Sequence, residues 1–257
     1  MEISQEILAL TKDQILTLAL TAGRILLCNG AETYRVEDTM MRICALGGMK
    51  TVSAFCTPSV IMLGDELIPT VGRMYRVKNR TINLQIISEI NDFSFRLHNR
   101  HDSYETILNE LLAKEQMAVR PYYIDVLCTC LAGAAFTLVF GGAFKEFVAA
   151  ALCCFFATIF TRGMRAFRPS NFWITTMAGG IISVVALGFC RVVPTVSMEL
   201  IISGAIMPYV PGMAFTNGLR DYIAGDLISG NSRVSEAIFQ VGGLVIGIAT
   251  VLGLFYH

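Results

Sequence analysis

From residue 122 onward the chain offers five apolar stretches in succession, separated by short charged connections, and no other feature constrains the fold as much. A helix that crosses hydrocarbon needs about 20 mostly apolar residues at about 1.5 Å rise each. The first stretch covers about 122–144 and carries Asp125 near its start. The second, 147–161, has only 15 uncharged residues, flanked by Lys145 and Arg162, and is expected to rely on snorkelling flanks. The third lies between Arg168 and Arg191, the fourth runs over about 196–219 with Glu199 inside, and the fifth covers 237–257. Five such runs predict a membrane all-α bundle of five transmembrane helices.

The charges are concentrated ahead of that region. Residues 1–121 hold 27 of the 40 charged residues, which predicts an N-terminal cytoplasmic α+β domain over 1–121 and a transmembrane domain over 122–257. The first apolar stretch, 15–23, sits between Asp13 and Arg24 without a basic leader or cleavage pattern, so no signal peptide is expected. Net charge is zero and no basic block occurs, which argues against nucleic acid as a partner. Basic residues are retained on the cytoplasmic side of a membrane. With the N-terminal domain inside, Lys114, Arg120, Arg162, Arg165, Arg168, Arg220 and Arg233 flank the cytoplasmic ends, against Lys145 and Arg191 outside. The expectation is an inner-membrane protein with a cytoplasmic N-terminus and an external C-terminus. Gly179/Ser183 and Gly243/Gly247 stand at the spacing that lets helices pack closely in lipid.

The fourth stretch is interrupted by Pro208, Pro211 and Gly212. Each proline deletes an amide donor, so the carbonyls of Gly204 and Met207 lose their helical partners. Such carbonyls are tolerated at membrane depth where they are re-satisfied or line a polar cavity, and broken helices of this kind form transporter substrate sites. After the break, Asn217, Arg220 and Asp221 follow at i, i+3 and i+4 and share one helix face. Orientation places them at the depth of Asp125. Asp125, Asp221 or Asn217 is therefore expected to hold Arg220 when a substrate is absent. Glu199 and Asp226 are candidate proton-coupling carboxylates, although Glu199 also suits an interfacial group reaching water.

The run Pro208, Pro211-Gly212, Asn217, Arg220-Asp221, Gly225-Asp226, Ser229-Gly230, Arg233 and Glu236 resembles the threonine/serine exporter family. So does the N-terminal run Asn29-Gly-Ala-Glu-Thr-Tyr-Arg-Val-Glu-Asp38. The resemblance covers nearly the whole chain. It implies export of small amino acids or dicarboxylates, and it implies the larger component of a split exporter with a small membrane protein as partner. A module with an odd number of spans suits an inverted-repeat arrangement with such a partner.

In the first half, Thr11 and Gln14 form a capping-box signature for a helix to about Cys28, stopped by Asn29-Gly30. The second helix, 31–46, carries Glu32, Arg35, Asp38 and Arg42 at the spacing of a salt-bridged, solvated face. Strands are expected over 51–57 and 59–63, with Gly64-Asp65 as a turn and further short strands near Ile68 and Tyr75. A helix over 83–99 and a last helix capped by Asp102 and Glu105 follow. The eight cysteines contain no CxxC pair and suit small apolar residues. His98 and His101 lack companions for a metal set, so no metal and no cofactor are expected. No catalytic motif is present, yet a membrane-anchored enzyme with its active site in the N-terminal domain is the alternative reading.

Overall fold

Thr11, itself in an extended conformation, starts a helix by two reciprocal bonds. Its hydroxyl accepts the Gln14 amide, and the Gln14 side chain accepts the Thr11 amide at 2.9 Å. The helix that follows, α1 (Lys12–Cys28), is the centre of the first unit in a computed structural model that describes residues 10–65, 68–78, 80–99, 102–116, 121–167 and 169–255. Arg120, Arg168 and His257, which enter the orientation argument, lie outside the described residues, as does His101.

Apolar residues surround α1 on most sides: Ile15, Leu16, Leu18, Ile25 and Leu26 are all fully buried. Around it stand α2 (Thr33–Leu46), α3 (Leu84–Arg96, continued by a 3-10 turn to Asn99) and α4 (Tyr104–Glu115). Val36, Met40 and Ile43 of α2, Ile90 and Phe93 of α3, and Ile107 and Leu111 of α4 complete one core with it. Each such side chain contributes about 1.5–3 kcal/mol by leaving water. The α4 cap is Ser103, whose hydroxyl accepts the Thr106 amide, rather than the neighbouring Asp102.

An antiparallel meander, β1 (Val52–Thr57), β2 (Val60–Asp65) and β3 (Ile68–Arg76), packs Ile61 and Leu63 into the same core. Pro58 lies in the β1–β2 turn, where its missing donor costs no ladder bond. Gly64 and Asp65 remain in strand β2 rather than forming a turn, and β3 is one strand with a bulge opposite them rather than two short ones.

The second unit contains α5 (Tyr122–Val139), α6 (Phe144–Met164, with a 3-10 turn to Phe167), α7 (Asn171–Val192) and α8 (Met198–Ile206). Two more helices follow, α9 (Gly212–Ile223) and α10 (Leu227–Phe255). Among the described residues four helices are long and apolar enough to cross a membrane, and a fifth span results if α8 and α9, bent by 57° at their break, count as one. The second span is not short: α6 takes Lys145, Glu146 and Arg162 into its ends, so the helix outlasts the gap between charges. Equally, α10 begins ten residues before the expected start at Ala237.

The interior of this unit is built from small side chains: Ala149, Ala150, Cys153, Cys154, Ala157, Ala186 and Ala205, with Ile182, Ile201 and Ile202. The anticipated glycine pairs mediate its close contacts. A Cβ on Gly179 would sit 2.4 Å from the Leu244 carbonyl oxygen, and one on Gly247 would sit 2.0 Å from that of Thr176. Backbones approach this closely only where side chains are absent. Glu146 caps its own helix through the Ala143 amide at 3.0 Å and also accepts the Ser197 amide at 3.2 Å, tying the α7–α8 connection to α6.

The two compact units are not consecutive in sequence. The first takes residues up to Val119 together with Thr216–Val234, and the second takes Arg120–Phe215 and Ser235–His257. The charge pattern alone allots 216–234 to the membrane half, so the first unit contains a segment that the pattern does not give it.

Candidate functional site

The site begins where α1 stops. Gly30 adopts a left-handed backbone (φ +90°), which a side chain would strain, and its amide and that of Ala31 close back on Leu27 and Leu26. Asn29 secures the turn from the other side, since its carbonyl accepts the Asn83 amide at 3.0 Å. The chain then extends through Glu32 before α2 starts at Thr33. This geometry leaves the Gly30 and Ala31 carbonyls and the first amide of α2 without helical partners.

The segment 216–234 supplies partners to all three. Asn217 donates its amide to the Gly30 carbonyl at 2.9 Å, and Arg233 donates to the Ala31 carbonyl at 2.7 Å. Asp221 accepts from the Thr33 hydroxyl at 2.8 Å and from the Thr33 amide at 3.3 Å. An anion at a helix N-terminus is also favoured by the helix dipole. Asp221 is completely buried and forms an ion pair at 3.0 Å with the Arg233 guanidinium, 5% exposed. The Nε–Oδ2 contact is poorly angled, so those two atoms have charge attraction but no well-aligned hydrogen bond.

The α9–α10 connection makes this reach possible. Gly225 turns the chain with φ +90°, Asp226 caps α10 by accepting the Ser229 amide at 3.0 Å, and the Ser229 hydroxyl donates to the Cys56 carbonyl of β1 at 3.4 Å. Gly218 lies against Arg233 and Val234, where a Cβ would come within 2.8 Å of the valine side chain.

Arg220 lies one residue before Asp221 and has a different partner. Its Nη1 is 2.6 Å from Glu32 Oε1, while the other oxygen of Glu32 lies 3.2 Å from Arg35 Nε. The Glu32 side chain is 7% exposed, whereas those of Arg220 and Arg35 are 55% and 39% exposed. Burial pushes the Glu32 carboxyl up, but its backbone hydrogen bond, Arg220 and Arg35 together hold it below the usual carboxylate range. Asp226 is likewise held low: burial pushes it up, but its hydrogen bonds, that from the Ser229 amide among them, outweigh this. Glu37, half-buried and bonded to the Cys56 amide at 2.7 Å, goes the other way: burial and then the nearby Asp226 and Asp221 raise it, against that one bond.

Several expectations are corrected by these contacts. Arg220 is held by Glu32, and not by Asp221 or Asn217. Asp125 instead faces Arg162 at 3.5 Å in the second unit. Glu32 is buried and not part of a solvated face, although Arg42 does pair with Asp38. The proline break also behaves differently. The Gly204 carbonyl accepts the Met207 amide and the Met207 carbonyl accepts the Val210 amide at 3.3 Å, so a 3-10 turn re-satisfies both. Tyr209 anchors that turn on α6 through the Thr158 hydroxyl at 2.8 Å. Beside it, Val210, Pro211, Gly212, Phe215, Ala237, Ile238 and Val241 line an apolar groove of about 260 Å³. Pro211 and Gly212 therefore border apolar surface, and Glu199 is exposed in the first turn of α8.

Sequence reasoning missed Glu32, Arg35, Thr33, Glu37 and Arg233 as members of one cluster. No local signal joins them, because the charges of the first run can pair within their own helix. Among the described residues no group of three or more His, Cys, Asp or Glu could hold a metal ion, and all eight cysteines are free thiols.

The two runs that meet here also lie within a single family match. The ThrE family model, described as "Putative threonine/serine exporter", matches residues 17–255. No curated protein and no solved structure matches the chain. A match that takes in the Asn29–Asp38 turn, the Pro208–Glu236 segment and the apolar helices covers nearly all of the sequence, and the chain belongs to the threonine/serine exporter family of multi-pass membrane transporters.

Proposed function

We propose that the chain is the larger component of a secondary transporter that exports serine- or threonine-type amino acids or small dicarboxylates, driven by a proton gradient. The observation that carries this reading is Arg220, a half-exposed guanidinium set on the segment where the two motif runs converge. A guanidinium is suited to the carboxylate that all these substrates share, because its planar fork pairs with both oxygens. Asn217 and Asp221 hold the segment in place, and membrane lipid surrounds the apolar helices. Glu199 and Asp226 are the proton-coupling candidates offered by the sequence, and Glu37, bonded to the Cys56 amide and pushed up by burial, joins them.

In this reading residues 1–121 are cytoplasmic, the protein resides in the inner membrane, the C-terminus is external, and a small membrane protein completes the pathway. A reporter fused after His257 should be active only on the outer face, and cytoplasmic activity would overturn the orientation. The function is tested by uptake of labelled serine, threonine and succinate into inverted vesicles, with and without the partner. Arg220→Ala should reduce transport by about tenfold or more at unchanged membrane abundance, the loss expected for one charge-assisted hydrogen bond to substrate. Wild-type transport by that variant would remove Arg220 from the pathway.

A further inference from the structure

We infer that Glu32 is a tethered stand-in for the substrate's carboxylate, occupying a seat between Arg220 and Arg35 from which a free carboxylate ligand displaces it. The inference rests on the reading of Arg220 given above and adds the second arginine and the internal competitor.

Three observations support it. The first is the division of Glu32 between two cations, with one oxygen on Arg220 and the other on Arg35. Two guanidinium groups and one carboxylate leave the trio with a net positive charge that one more carboxylate would neutralise. The second is geometry: Arg220 meets Glu32 through Nη1, whereas a ligand carboxylate could take the two-pronged pairing that a guanidinium edge offers.

The third is the low cost of displacement. An ion pair with one partner more than half exposed contributes little to stability, because water competes for the charge. The Asp221–Arg233 pair and the Asn217 and Arg233 bonds to Gly30 and Ala31 already fix 216–234 against the α1–α2 turn. Arg220 is thus not needed to hold the segment. Once displaced, Glu32 keeps Arg35 and its own backbone amide as partners, so its charge is not stranded. A resident carboxylate of this kind lowers apparent affinity by the fraction of time it fills the seat.

The test uses the full chain in lipid nanodiscs, with threonine and succinate as carboxylate probes and threoninol, which lacks the carboxylate, as control. Glu32→Gln should lower the Kd for threonine and succinate by about tenfold, because the competitor is gone, and leave threoninol unchanged. Arg35→Gln should weaken carboxylate binding severalfold, since Glu32 then commits to Arg220. Adding Arg220→Gln to Glu32→Gln should abolish the gain. Should Glu32→Gln fail to fold, Glu32→Asp, one methylene too short to reach Arg220, should show the same tightening. A Kd unchanged or raised in a well-folded Glu32 variant overturns the inference, as does absence of carboxylate binding in wild type and variants alike. Tightened binding without transport in vesicles would instead overturn the exporter reading alone. Intact transport with an unmoved Kd and KM would overturn this inference alone.

Discussion

Asp221 and Arg220 are neighbours with opposite expected roles, and burial separates them. Asp221 has no exposed surface and faces a nearly enclosed Arg233, so removing one partner strands a buried charge. Asp221→Ala is expected to cost about 3–5 kcal/mol, measured as lost thermal stability and membrane abundance, and replacing Arg233 with Met in the same chain should recover part of it. Glu37 gives a second prediction. Its folded-state pKa lies above the ordinary value because burial and two neighbouring carboxylates disfavour its charge. It therefore contributes stability that is complete below the ordinary glutamate range and is lost as pH rises through the raised folded value. Glu37→Gln should flatten that decline, visible as a smaller fall in melting temperature as pH rises from the ordinary glutamate range. Glu32 has the opposite sign, contributing stability above the ordinary range and losing it as pH falls through its lowered value.

At the scale of elements, close approach between helices sets the most sensitive positions. A Cβ on Gly204 would lie 1.9 Å from the Thr137 hydroxyl and 2.6 Å from the Thr137 amide nitrogen, and the backbone cannot swing aside. Gly204→Ala should destabilise the second unit by about 1–3 kcal/mol, whereas Gly188→Ala, which meets nothing within 4 Å, should not. Thermal unfolding in nanodiscs separates the two. Elements were also the scale most legible from sequence. The Thr11/Gln14 box is local, and the apolar runs carry their own signal, so α1 and the membrane helices follow directly. The α4 cap shifted by one residue because Asp102 and Ser103 are chemically interchangeable in that role. Whether Glu32 faces water or protein could not be read locally, because i, i+3, i+4 charges look the same in both settings. Its partner Arg220 lies 188 residues away. Nor does a proline reveal whether the carbonyl it abandons finds another donor; Met207 and Val210 provide them here through backbone geometry alone.

For the whole molecule, the discontinuous first unit has the widest consequences. A fragment ending at Val119 retains the α1 core but lacks Asn217, Asp221 and Arg233, which satisfy the turn at residues 30–33. Amide hydrogen exchange should show the Thr33 amide and its neighbours poorly protected in that fragment and protected in the full chain, with α3 and α4 little changed. The same discontinuity sets an order of events during synthesis. The ribosome completes Val119 and then makes roughly a hundred further residues before Thr216 emerges, about 5–20 s at usual elongation rates. Throughout that interval the Gly30 and Ala31 carbonyls and the α2 amide end wait without their partners, and the Glu32 carboxylate has Arg35 but not Arg220. The first unit is thus among the last parts of the molecule to be finished, and quality control acting on nascent chains would meet it half-built each time one is translated.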